Sequence, residues 1–447
     1  MIPIRQMYSL HGHVVVRVEY RMFFRNFFRW LLLSCGVVAA SLSIVRAASG
    51  TSDLNHLVEE AYHNNQDLLS MEETANALRA EAPFAGSLQD PVVGIGLLNV
   101  PEDTFDLDQE PMTQKQLFAS QKFPWFGTLD LRQQSSELKA LEAEYLVHGK
   151  RLEIAKKLAG AWYDLGFLGK GIEVNENLKT IVTQVLRVAE TRYGTGEGLQ
   201  QDVLAGQVQH SELIDEGVNL ESREQAARAQ LASILNRVGY FDDMGPEAVE
   251  DPKEIPGRAV LTEVALQYNP LILARMVAID RARIDVQLAK KAYMPDFDLR
   301  LAYGQRVDRP DFLSATVAMT VPLWQSTRQD SKLAAAEKRL VAAEKSLLGL
   351  KQTLPHTIDR LLAEIAGARE NYTLFREALS VQAANLADAS LAAYSVGKVE
   401  FNTMLSARVR LLRIELQAER YKFQIYKKMA ELEELIGLKL SSVEDLK

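Results

Sequence analysis

The stretch that most constrains this chain is residues 296–324, DFDLRLAYGQRVDRPDFLSATVAMTVPLW. Its first half alternates strictly. Phe297, Leu299, Leu301 and Tyr303 are large and apolar, while Asp296, Asp298, Arg300, Ala302 and Gly304 between them are charged or small. After a polar turn containing Pro310 the second half does the same. Leu313, Ala315, Val317, Met319 and Val321 fall on one side, and Ser314, Thr316, Ala318 and Thr320 on the other. Period-two alternation specifies strands with one apolar and one polar face. Each run has about the ~9–11 residues of a transmembrane β-strand. An apolar exterior around a small or polar interior is the pattern of a water-filled membrane barrel. A hairpin lying on a soluble core alternates identically, so these residues alone leave both readings open.

The rest of the chain narrows the choice. Its 447 residues allow two or three domains. Net charge is −8, and no Lys/Arg-rich tract follows the N-terminus, which argues against a nucleic-acid partner. The single cysteine, Cys35, excludes an internal disulfide and a cysteine metal cluster. Residues 1–47 read as a secretion signal. Arg21, Arg25 and Arg29 form the basic region, residues 30–45 the apolar stretch, and Val45-Arg46-Ala47 a small-residue cleavage site. Met22 would make a more typical start than Met1. A competing reading is lipidation of Cys35 at Leu32-Leu33-Ser34-Cys35, against which stands the very short apolar run before the cysteine. A retained anchor helix is a third. Beyond residue 47, no stretch approaches the ~18 consecutive apolar residues of a membrane helix.

Taken in order, residues 55–81 have helical spacing and are closed by Pro83. The first hairpin, about 91–123, joins the apolar run PVVGIGLLN, an acidic loop from Glu102 to Glu110, and a weaker alternation over 114–123. Phe123-Pro124-Trp125-Phe126-Gly127 then supplies aromatics suited to a membrane-interface belt or to a packed strand-to-helix corner. Residues 128–166 form a long helix. A break is expected near Gly169 and Gly171, with a further helix over 172–190. A glycine-rich turn, Tyr193-Gly194-Thr195-Gly196, leads into a helix over 199–238. Its seam, with every step a three or a four, requires a partner helix. Residues 241–257 carry three prolines and many acids and read as a linker. The plan then restarts: a helix over 261–293, the hairpin of about 296–323, and a helix over 331–354. Pro355 should kink or interrupt that helix. A helix over 358–392, the turn Tyr394-Ser395-Val396-Gly397 and a last helix over 400–437 complete it.

The two halves therefore match in kind and order. The first repeat spans 48–240 and the second 258–440, with 441–447 as a tail. Phe123-Pro124-Trp125 answers Val321-Pro322-Leu323-Trp324, and the turn at Tyr193 answers the turn at Tyr394. Two hairpins supply four strands, yet single-chain barrels begin at about eight strands and open sheet edges are not tolerated in lipid. Chains must pool their hairpins: two copies give eight strands and three give twelve. The helices, each about 60 Å long at ~1.5 Å per residue, are too polar for lipid and must project into the aqueous compartment.

This plan, with Phe123-Pro124-Trp125-Phe126-Gly127, Arg192-Tyr193-Gly194-Thr195-Gly196, Tyr394-Ser395-Val396-Gly397 and Asp202-Val203-Leu204, resembles the TolC-like outer-membrane efflux proteins (outer membrane factors). The resemblance covers essentially the whole chain after the signal. It implies a mainly α fold with a β-barrel portion. The assembly would be a homotrimer, with a twelve-stranded outer-membrane β-barrel continued by a periplasmic α-helical barrel. It further implies location in the outer membrane of a Gram-negative bacterium, and docking at the turns onto a periplasmic adaptor (membrane fusion) protein and an inner-membrane pump.

No catalytic constellation appears, and no cofactor is expected. His56 and His63 lie one heptad apart on one helix face, which is more simply a solvated face than a metal site. Gly194, Gly196 and Gly198 follow no strand, which argues against a nucleotide loop. The candidate functional residues are at the turns and in the barrel. In the family these turns form the periplasmic tip, where Asp202, with Tyr193 and Tyr394 opening the two turns, would line a narrowed pore. A ring of three carboxylates there would attract cations. Equally, an acid in a helix's first turn favours the helix dipole without any pore. The second repeat has Thr403 and Ser406 at the matching positions, which leaves Glu400 as the nearest acid. Asp296, Asp298 and Arg300 are candidates for the barrel lumen. The function expected is a passive exit duct, not an enzyme, with cargo driven from elsewhere. The alternative is a soluble periplasmic coiled-coil scaffold or adaptor.

Overall fold

The computed structural model describes residues 54–237 and 249–444. The segment read as a signal peptide, Cys35 with its lipidation reading, residues 241–248 of the linker and the last three residues lie outside them.

The element order is α1 (Leu54–Asn64), α2 (Gln66–Ala85), β1 (Val92–Leu98), β2 (Gln114–Phe123), α3 (Thr128–Gly194) and α4 (Gln200–Ile234). The second half adds α5 (Arg258–Tyr268), α6 (Pro270–Lys291), β3 (Asp296–Gln305), β4 (Phe312–Thr320) and α7 (Gln329–Thr373). A π-helical segment (Leu374–Leu379), α8 (Ser380–Ser395), α9 (Phe401–Ile436) and a short α10 (Leu440–Glu444) complete the chain.

The four strands form one antiparallel sheet in the order β1-β2-β3-β4, so β1 and β4 are both open edges. The register aligns the alternating residues across all four strands. Ile95 pairs with Leu117, Leu117 with Tyr303, and Tyr303 with Leu313; further along, Phe123 pairs with Phe297 and Phe297 with Met319. One face is thus largely apolar, interrupted by Lys115, Gln121 and Gln305, and it is exposed: Ile95 is 86% accessible, Leu313 81% and Val317 70%. The other face carries Gly94, Gly96, Gln116, Phe118, Lys122, Asp298, Arg300 and Thr316.

Beneath the sheet, α2, α3, α6 and α7 pack side by side in that order, each helix leading into or out of one strand. Ion pairs stitch the layer: Arg151 to Glu72 at 2.7 Å between α3 and α2, and Arg281 to Glu142 at 2.9 Å between α6 and α3. Farther from the sheet, α3 packs against α4 and α9. Two apolar cores hold the middle of the molecule. One joins α1 to α4 around Leu57, Leu158, Trp162 and Leu231; the other joins α5 to α9 around Leu261, Ile358, Ile425 and Leu432.

Several boundaries differ from the sequence reading. α3 runs unbroken for 67 residues, through Gly169 and Gly171. Gly171 is buried because Leu220 of α4 packs onto it; a Cβ there would sit 3.2 Å from Leu220. The glycine permits close helix contact and does not end the helix. Pro83 lies inside α2, and the helical stretch is divided earlier, at Asn65. The expected helix over 261–293 is likewise two helices, divided at Asn269. Both asparagines are N-caps, accepting from Leu68 N at 2.9 Å and Ile272 N at 3.0 Å. Pro270 then occupies the first helical position, where a missing N–H has no consequence. Pro355 does not interrupt α7: Leu354 and Ile358 on either side are buried in the core, so packing outweighs one forgone hydrogen bond. The irregular turn comes later, in the π segment.

After the hairpins the halves superimpose in number. Residues 128–194 are helical, and so are 329–395, displaced by 201 positions; α4 and α9 begin at the same displacement. The segment entering the second half is pinned to α7 and the π segment. Asp251 accepts from the Tyr372 hydroxyl at 2.8 Å and from Arg376 at 2.6 Å, and the Tyr426 hydroxyl donates to the Glu250 carbonyl at 3.0 Å. Arg376 and then Tyr372 hold the Asp251 carboxyl below its ordinary value of 3.8, while burial and this bond push Tyr372 up to about 12.

Asn269 is the more heavily used cap, because its amide also donates to the Leu435 carbonyl at 2.8 Å. Asn269→Ala should destabilise by about 1–2 kcal/mol, and Asn65→Ala by about 1 kcal/mol or less, in denaturant unfolding of the detergent-solubilised protein. The Asp251 clip has a depressed carboxyl pKa, so its contribution is complete above the ordinary value and is lost as pH falls through the lower folded value. Hydrogen exchange at residues 249–257 should therefore stay slow at pH 5 and accelerate only once the pH falls below the ordinary carboxyl value, with Asp251→Asn already fast at pH 5.

Candidate functional site at the two ends of the long helices

The sequence candidates separate into two groups. The first lies on the polar face of the sheet. β3 presents Asp296, Asp298 and Arg300 on one side because alternate strand residues share a face. Arg300 is the best-anchored of them. Its guanidinium lies 3.9 Å above the Phe118 ring and donates to Gln116 Oε1 at 3.0 Å. Phe118 in turn lies across Gly94, whose missing side chain leaves room for the ring. Asp298 pairs in register with Lys122. Asp296 has a structural duty instead: its Oδ1 accepts the Trp125 N–H at 3.0 Å, joining the base of one hairpin to the other. Trp125 stacks on Phe297 at 5.8 Å beside that bond. The sequence sets Phe118 and Lys122 opposite Leu117, Ala119 and Phe123 but does not single them out as lumen candidates.

The second group lies at the turns. α3 ends at Gly194 and α8 at Ser395, and the chain reverses through Gly196 (φ 78°) and Gly397 (φ 72°). Left-handed backbone of this kind is what glycine tolerates. The two turns are closed alike: Glu197 N bonds to Arg192 O and Lys398 N to Ala393 O, both at 2.9 Å. Their tyrosines are not alike. Tyr394 is 9% exposed and meets the buried Phe401 edge-on at 6.0 Å, while Tyr193 is 48% exposed. Arg192 from the first turn sits 5.1 Å over the Tyr394 ring. A core of Leu178, Val182, Leu213, Tyr394, Phe401 and Leu405 therefore ties both turns into one unit. Phe401 is its centre, and the sequence reading passed over it.

Asp202 stands half-exposed in the first turn of α4, and Glu400 is exposed at the N-cap of α9 without a side-chain capping bond. Neither side chain makes a hydrogen bond or ion pair among the described residues. No group of three or more His, Cys, Asp or Glu side chains that could hold a metal occurs among the described residues. No described helix is long and apolar enough to cross a membrane.

Residues 261–438, from α5 to the end of α9, match the family model described as outer membrane efflux protein. That stretch is similar to an outer membrane efflux protein domain. Solved channel structures extend the likeness beyond that domain to both repeats. The chain is similar to CusC, a transmembrane channel, at 14% identity over 89% of this chain and 96% of that one, with a TM-score of 0.73. It is similar to the outer membrane protein VceC of Vibrio cholerae at 18% identity over 87% and 96%, TM-score 0.70. The MtrE outer membrane channel of Neisseria gonorrhoeae gives 15% identity over 87% and 89%, TM-score 0.69. At these identities the likeness shows the fold, an α-helical barrel with a β-barrel portion. No curated protein sequence matches the chain.

The asymmetry of the turn tyrosines gives a direct check on this shared core of the two turns. Tyr394→Ala should cost about 3 kcal/mol, as expected for emptying a buried aromatic site, whereas Tyr193→Ala should change stability by less than about 0.5 kcal/mol. Hydrogen exchange at residues 190–204 and 393–405 reads the difference, and it should rise sharply only for Tyr394→Ala.

Proposed function

We propose that this protein is the outer-membrane exit duct of a tripartite efflux or secretion system, conducting cargo passively from the periplasm to the exterior. The observation that carries this reading is the sheet: four strands with one exposed apolar face, one polar face and two unpaired edges, mounted on polar helices. At ~1.5 Å per residue a 67-residue helix is about 100 Å long, a periplasm-scale projection. Lipid can cover the apolar face, but it cannot satisfy the N–H and C=O groups of β1 and β4. Copies of the chain can, and three of them supply the twelve strands of a closed barrel. In that trimer the face carrying Asp298, Arg300 and Lys122 lines the lumen, where charge remains hydrated. The protein would reside in the outer membrane of a Gram-negative bacterium, with most of its mass in the periplasm. The turns at Tyr193 and Tyr394 would meet a periplasmic adaptor and, through or beside it, an inner-membrane pump. Three copies of Asp202, with Glu400 nearby, would ring the narrow end and favour cations by Coulombic attraction.

The protein should fractionate with the outer membrane, require detergent for extraction, and form conducting channels in planar bilayers. Recovery in the osmotic-shock fraction would favour the soluble adaptor reading instead. In the bilayer assay Asp202→Ala should raise unit conductance and lower cation preference. Unchanged conductance and selectivity would remove Asp202 from the pore while leaving the duct intact.

A further inference from the structure

Where the sheet meets the helices, a cavity of about 580 Å³ opens between the start of α3, the end of α6 and the start of α7. Five cations line it: Arg132, Lys291, Arg328, Lys332 and Arg339. Arg132, Arg328, Lys332 and Arg339 form no ion pair among the described residues, and Lys291 donates to the Phe126 carbonyl at 3.0 Å. Asp285 and Asp296 also line the cavity, but each is already engaged, by the Ser135 hydroxyl at 2.8 Å and by Trp125 N respectively. The two carboxylates keep their charge, so the five cations and two anions of the lining leave a net charge of +3.

Two further features point to an occupant. Thr128 and Gln329 both line the cavity and are both 8% exposed, yet Thr128 Oγ1 and Gln329 Oε1 have no hydrogen-bond partner. Buried polar atoms are rarely left so. These two residues are equivalent in the two repeats, each the first residue of its long helix. The N-terminal ends of α3 and α7 therefore converge on one place with their positive dipole ends, although Thr128 N and Asp330 N already donate to the Trp125 and Gln325 carbonyls.

The cavity also has a definite position. Leu323 and Trp324, each 72% exposed, form part of its rim just beyond the end of β4. That rim places the cavity at the level where the apolar sheet gives way to the polar helices.

We propose that this cavity binds the headgroup of an anionic phospholipid of the inner leaflet, with the phosphodiester held by Arg328, Lys332, Arg339 and the two helix N-termini, and the acyl chains lying along Leu323 and Trp324. Cations beneath an aromatic, apolar belt attract such headgroups, and a pocket between helices adds selectivity. The site rests on the outer-membrane reading above, and it would anchor the junction of barrel and helices at a fixed depth.

The test is native mass spectrometry of the detergent-purified, delipidated protein, offered phosphatidylglycerol, phosphatidylcholine, or phosphatidylglycerol with excess inorganic phosphate. Retention of phosphatidylglycerol at least tenfold above phosphatidylcholine, undiminished by inorganic phosphate, is expected. The R328Q/K332Q/R339Q variant should lose that preference, while Lys398→Gln at the distant turn keeps it. Should the triple variant lose its native assembly, Lys332→Glu at an exposed helix position serves in its place and should weaken phosphatidylglycerol retention several-fold. Equal retention of the two lipids overturns the proposal, as does an unchanged preference in the charge variants. Displacement of the lipid by inorganic phosphate would mean a free-anion site and overturns it too. Each of these leaves the duct reading standing if the protein still fractionates with the outer membrane; loss of that fractionation would instead remove the duct reading itself.

Discussion

The hydrogen-bonding groups along β1 and β4 govern everything else in this molecule. The sheet exposes an apolar face from Ile95 across to Leu313, which makes sense only against lipid, yet its two edges are unpaired. A strand edge facing hydrocarbon forfeits several kcal/mol for each unsatisfied group, so the apolar face and the open edges cannot both be solvated by the bilayer. Pairing β1 of one copy with β4 of the next removes the conflict. The meander order β1-β2-β3-β4 makes this possible, because the two edges run antiparallel to one another and lie at opposite sides of one sheet. The polar face then becomes an interior by necessity, and Arg300 stacked on Phe118 becomes part of its wall.

The helices follow from the same constraint. Each strand hands its position to one helix of the layer α2-α3-α6-α7, so a closed barrel above imposes a closed tube below. The 201-residue displacement between the long helices keeps the two halves of each protomer in step around that tube. The halves then diverge where their roles differ. Gly196 and Gly397 make the same reversal, but only Tyr394 is buried, because Phe401 and Arg192 pack on it from either side. Gln200, the counterpart of Phe401, is exposed. One turn therefore acts as the anchor and the other presents its aromatic ring outward.

Much of this was legible in the sequence. The second hairpin declared itself through strict alternation, and β3 begins at Asp296, where the alternation does. The first hairpin was fainter because Lys115 and Gln121 interrupt its apolar face. The turns were readable from glycines at positions that demand left-handed backbone. The helix divisions at Asn65 and Asn269 were not, since the apolar spacing runs on across them and only the side-chain cap marks the break. Gly171 suggested a break by composition, but Leu220 packing, a tertiary fact, keeps α3 whole. The sequence also placed Asp296, Asp298 and Arg300 together as lumen residues, whereas Asp296 turns out to hold the two hairpins together. The basic cavity beneath the sheet was invisible, because its residues come from three helices scattered over some two hundred positions.

The most direct test of the central claim is disulfide trapping between the two sheet edges. In a Cys35→Ser background, Ile95→Cys would be combined in turn with a cysteine at Leu313, Ala315, Val317 or Met319, and oxidised in native outer membranes. If open edges are closed by other copies, one register should give covalent multimers ending at three chains, and neither single cysteine should give any species beyond a dimer. Failure to cross-link between chains at every register, or a bond joining β1 and β4 within one chain, would contradict the account.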